Sequence, residues 1–121
     1  MLNRNLAVFA ALNGAMAVAI GAFAAHGAGP AVKTLLTTGS HYQLSHAVFA
    51  AACAFAGGHR LIGLAGWLTR AGGLVFSLAL AFIGLLSLPA MGAVAPIGGV
   101  LMIAGWIVLA IAAFRSQSVK A

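Results

Sequence analysis

The chain has 121 residues, of which 64% are hydrophobic and 5% charged, and it contains six lysines and arginines but no aspartate or glutamate. Soluble domains carry about 45–50% apolar and about 25% charged residues, so this balance excludes an ordinary water-soluble fold. The net charge of +6 does not point to nucleic acid either, because Arg4, Lys33, Arg60, Arg70, Arg115 and Lys120 stand singly between or beside apolar runs and form no basic face with aromatic partners.

A helix rises about 1.5 Å per residue, so about 20 apolar residues match a hydrocarbon layer about 30 Å thick. Four segments meet that length or approach it. The first covers residues 5–25; it is longer than the core of a secretory signal and reads as a retained helix. Gly27, Gly29 and Pro30 break it, and Thr37, Gly39 and Ser40 read as the lead-in to a second segment at residues 41–56, with Ser40 as its N-cap. Gly57 and Gly58 separate this from a third segment at residues 67–88. Pro89 and Gly92 precede a fourth at residues 96–114, with Pro96 in its first turn. The reading is a single all-α domain: a compact bundle of four antiparallel transmembrane helices joined by short loops.

Cation placement orients it. With a cytoplasmic N-terminus, Arg4, Arg60, Arg70, Arg115 and Lys120 fall inside and only Lys33 falls outside, which favours both termini in the cytoplasm. Trp67 then anchors the inner interface, and Trp106 packs deeper, within the bundle. Helix association in lipid relies on close backbone approach. Gly14 and Gly21 on the first helix, Gly73 and Gly84 on the third and Gly105 on the fourth lie on small-residue stripes suited to it. Asn13, the strongly polar residue near the middle of the first helix, needs an interhelical hydrogen bond, with Ser77 and Ser45 as candidate partners. Cys53, the lone cysteine, reads as packing, and His59 beside Arg60 as a loop pair facing lipid headgroups.

The most concentrated chemistry comprises His26 at the end of the first helix and His41, Tyr42, Gln43 and His46 at the start of the second. An antiparallel connection would gather His26, Tyr42, Gln43 and His46 at the outer membrane boundary, with His41 as a further contributor. The stretches GAFAAHG (Gly21 to Gly27), TLLTTGSHYQLSHA (Thr34 to Ala47) and APIGGVLMIAGW (Ala95 to Trp106) resemble the YgdD family of small membrane proteins, domain of unknown function 423. FSLALAF (Phe76 to Phe82) departs from a more polar stretch in that family. The resemblance implies a four-helix membrane fold and supplies no activity.

The cluster has a structural reading, in which its polar groups cap carbonyls and close the loop. It also has functional ones. Histidine-coupled transport of protons or small molecules is one, since no carboxylate is present to do the coupling. His-ligated metal or haem binding is another, although no acid or second cysteine completes a ligand set. HExxH, GxSxG and phosphate-loop signatures are absent, so no enzymatic activity and no cofactor are expected. The favoured expectation is an accessory or assembly subunit of a larger membrane complex, or a self-associating bundle, with the lipid bilayer as its medium.

Overall fold

The computed structural model describes residues 2–120, with side chains through Arg115; the side chain of Lys120, one of the cations used for orientation, lies outside the described residues. Four helices follow one another: α1 (Arg4–His26), α2 (Pro30–Ala56), α3 (Arg60–Leu86) and α4 (Ala95–Lys120), with a short 3-10 turn at Pro89–Ala93 before α4. The connections at residues 27–29 and 57–59 are too short for anything but an antiparallel return.

α1 is opened by Asn3, whose side-chain oxygen accepts the Leu6 N–H at 3.2 Å, while the Asn3 N–H donates to Ala54 O at 2.9 Å and ties the start of α1 to the end of α2. The α2–α3 turn runs through Gly57 and Gly58, whose positive φ values of 62° and 73° suit glycine. His59 then caps α3, its Nδ1 accepting the Leu61 N–H at 3.0 Å. His59 is thus an exposed helix cap beside Arg60.

The helices pack in chain order: α1 on α2, α2 on α3, and α3 on α4. The bundle is therefore a row, and the cleft between α2 and α4 is open above α3. Small residues set the spacing. A Cβ on Gly98 would lie 2.6 Å from Phe76 N and 2.7 Å from Gly72 O, and one on Gly105 would strike Thr69 Cγ2. Between α2 and α3, a Cβ on Gly39 would lie 3.1 Å from Ser77 Cα and one on Gly84 3.3 Å from Val32 Cγ1. Between α1 and α2, Gly14 faces Ala47 and Gly21 faces Ser40. The apolar core at the α1–α2–α3 junction holds Leu6, Ala10, Phe49, Ala50, Cys53, Ala54 and Ala65.

α1, α3 and the stretch 89–115 are each long and apolar enough to cross a membrane. α2 is 27 residues long and less apolar. It lies against α1 from Asn3 and Ala54 at one end to Ala24 and Leu36 at the other, so it crosses with its neighbours.

The second helix departs most from the sequence expectation. It begins at Pro30, capped by Gly29, and not at His41 with Ser40 as cap. The Thr and Ser hydroxyls that resemble turn chemistry bond backward within the helix: Thr34 Oγ1 donates to Pro30 O and Ser40 Oγ to Thr37 O, each at 3.2 Å. Gly39 is there for close approach to α3, not for a bend. α3 likewise starts at Arg60 instead of residue 67, which moves Arg70 from a helix end to about 15 Å along the helix.

Candidate functional site

Lengthening α2 relocates the polar cluster. Gln43 stands midway between Pro30 and Ala56, at the centre of the helix and of the apolar layer. Tyr42, Gln43 and His46 are thus carried to mid-depth, while His26 stays at the exposed end of α1, one short turn before α2 begins. Residues 21 and 40 face each other across α1 and α2, as do 14 and 47. His26 and His46 are therefore about 16 Å apart along the bundle axis. The expected grouping of His26 with Tyr42, Gln43 and His46 at the outer boundary does not form, and a metal or haem held between His26 and His46 has no geometric basis. Among the described residues no three His or Cys side chains converge.

Asn13 and Trp106 take the place of His26. Asn13 Nδ2 donates to Phe9 O at 3.0 Å within α1, which turns its Oδ1 toward α2, where Gln43 Nε2 donates to it at 3.0 Å. The interhelical partner of Asn13 is thus Gln43; neither Ser77 nor Ser45 takes that place. Ser77 is buried against Gly39, its hydroxyl without a partner among the described residues, and Ser45 is exposed. Gln43 is 1% exposed, and its Oε1 is likewise buried without a partner.

On the other side of α2, Trp106 Nε1 donates to His46 Nε2 at 3.0 Å, and His46 Nδ1 lies 2.7 Å from Tyr42 O. Indole only donates and a carbonyl only accepts, so this geometry assigns the ring proton to Nδ1 and the lone pair to Nε2. Both imidazole nitrogens are then engaged. The Trp106 ring also packs edge-on against Phe49, with centroids 4.2 Å apart, and Tyr42 meets Phe76 edge-on at 5.2 Å. Gly73 allows this arrangement, since a Cβ there would lie 3.3 Å from Gln43 Cα and 3.4 Å from His46 Cβ.

The His46–Trp106 pair bridges the cleft between α2 and α4. On one side lies a cavity of about 570 Å³ lined by Thr38, Tyr42, Phe76, Met102 and Ile103; on the other lies one of about 430 Å³ lined by Ser45, Val48, Ala52 and Leu109. His41 is outside the network, exposed on the outer face of α2. With Thr34, Thr38 and Ser45 it forms a stripe of exposed polar residues at spacings of three and four along α2.

Sequence reasoning missed Trp106 as the partner of His46 because the two are sixty positions apart. The usable signal was that both fall near the middle of their apolar segments, where a donor-only ring and an imidazole need partners. Gly72 was also missed, hidden beside Gly73; it meets Gly98, which lies with Gly105 and Ala112 on the small-residue stripe of the fourth segment, in the closest backbone approach between α3 and α4.

The chain matches the family described as "Protein of unknown function (DUF423)" over residues 20–99, a span that includes Tyr42, Gln43 and His46. It is 37% identical over 114 residues to a UPF0382 membrane protein of Staphylococcus aureus, covering 89% of this chain and 93% of that one. It is 33% identical over 117 residues to the UPF0382 membrane protein YwdK of Bacillus subtilis, covering 89% and 94%. No solved structure matches it. An all-helical membrane architecture, a family match across most of the chain and relatives of nearly equal length together place the chain in the DUF423 family of bacterial membrane proteins.

Proposed function

We propose that the chain is a non-catalytic subunit of a larger membrane complex, seated in the bacterial inner membrane with both termini cytoplasmic, and that it receives a partner helix against α2. The observation that carries this is the stripe of Thr34, Thr38, His41 and Ser45, polar and exposed on a membrane-crossing helix whose neighbours present apolar faces. An imidazole facing hydrocarbon without a partner costs several kcal/mol at the order-of-magnitude level. A partner helix with hydrogen-bonding side chains removes that cost and fills the cleft beside it. The internal polar groups support the same reading: Asn13 and His46 spend their hydrogen-bonding capacity within the chain, which leaves both imidazole nitrogens of His46 engaged. Arg4, Arg60 and Arg115 at one end, against Lys33 at the other, support the orientation.

Transport is the second reading, favoured by the cavity that Thr38, Tyr42 and His46 line. Isolation in mild detergent after crosslinking separates the two. The subunit reading expects one identified membrane protein at fixed stoichiometry, lost with His41→Leu. A pure preparation that conducts pH-dependent flux, abolished by His46→Ala, contradicts it.

A further inference from the structure

Arg70 is a cation set inside a membrane helix. Its guanidinium carbon lies 4.5 Å from the centroid of the Phe9 ring on α1 and 5.3 Å from that of Trp67 on its own helix. Its Nε is buried and has no hydrogen-bond partner among the described residues, and no aspartate or glutamate exists in the chain to neutralise it. A guanidinium stays protonated in proteins, so this charge is not relieved by losing a proton. The two rings are 5.7 Å apart and meet the cation from one side, where their faces stabilise it. They leave its terminal N–H donors open, and those donors suit the oxygens of a phosphate or carboxylate.

Depth and direction select between anions. α3, at 27 residues, is about 40 Å long and exceeds an apolar layer of about 30 Å, so about 5 Å emerges at each end. Trp67 lies one turn from Arg70 toward the end of the bundle that carries Arg4, Arg60 and Arg115, and stacking on it draws the guanidinium that way. The charge therefore sits about 5 Å inside the apolar boundary, within reach of a lipid phosphate drawn inward. Trp67 also lines a pocket of about 470 Å³ with Asn3, His59 and Arg60, at the point where α1 begins and α2 meets α3. This leaves room for the rest of a polar headgroup beyond the phosphate.

We infer that Arg70, packed against Phe9 and Trp67, binds the phosphate of one anionic phospholipid from the leaflet at this end of the bundle. The lipid supplies the counter-charge that the sequence lacks, on the side of the guanidinium that the aromatic rings leave open.

Native mass spectrometry of the full chain in mild detergent tests this with phosphatidylglycerol, phosphatidylcholine and diacylglycerol as probes and inorganic phosphate as competitor. One phosphatidylglycerol per chain is expected, retained about tenfold better than diacylglycerol, as one or two charge-assisted hydrogen bonds imply. Arg70→Gln should abolish the preference, whereas Arg115→Gln, a cation at the same end, should leave it intact. Equal retention of phosphatidylglycerol and diacylglycerol by the unmodified protein overturns the assignment whether or not Arg70→Gln folds. Displacement by millimolar inorganic phosphate overturns the lipid as its source. A co-purified protein whose acidic side chain crosslinks at Arg70 in place of lipid overturns it too.

Discussion

Trp106 on α4 donates its indole N–H to His46 on α2 across a cleft that α3 floors, at 3.0 Å. No other hydrogen bond between described side chains joins α4 to the rest of the bundle. Trp106→Phe keeps the ring against Phe49 and removes only the donor, so it should destabilise the protein by about 1 kcal/mol, the usual scale for interhelical hydrogen bonds in membranes. A double-mutant cycle with His46→Ala, read by reversible unfolding in bicelles, should recover a coupling of similar size. Nitrogen NMR of His46 should show the proton on Nδ1; a proton on Nε2 contradicts the geometry.

Asn13 and Gln43 make a second test, because each protects the other from an unpartnered amide at mid-membrane. Asn13→Leu or Gln43→Met alone should cost about 1–2 kcal/mol, since a buried amide is orphaned. Both together should cost clearly less than the sum. Additive losses in thermal unfolding would show that the bond carries no coupling.

Adjacent glycines on α4 should behave oppositely. Gly98→Ala drives a methyl into the backbone of Phe76 and Gly72, with no flexible side chain to yield, and should cost about 1–3 kcal/mol or break the α3–α4 contact. Gly99 has nothing within 4 Å of its Cβ position, and Gly99→Ala should leave the melting temperature unchanged. Equal sensitivity of the two would mean that α4 packs by another face.

Much of the fold is legible in the sequence, for reasons visible in these residues. The apolar runs and isolated cations report a membrane solvent, and the glycines report close helix packing, because both signals are local. The start of α2 is not legible, since Thr37, Gly39 and Ser40 serve a turn and a tight helix interface equally well. Only the tertiary contact of Gly39 with Ser77 decides between them. That single ambiguity displaces the polar cluster, because moving the helix start from His41 to Pro30 parts His26 from His46.

Ser87 ends α3 in the left-handed region at φ 52°, where the Leu88 N–H reaches back to Phe82 O at 3.3 Å. A side chain is disfavoured in that conformation, so Ser87→Gly should stabilise the protein by about 1 kcal/mol, seen as a raised melting temperature. A lowered one would place the α3 terminus elsewhere.

The subunit account is tested most directly by a photoreactive residue at Thr38, on the exposed polar stripe of α2, compared with one at Val18 on the exposed face of α1, in native membranes. The account predicts a discrete adduct between position 38 and one identified membrane protein, absent from position 18 and lost when His41→Leu is added. Adducts with lipid alone at both positions would contradict it.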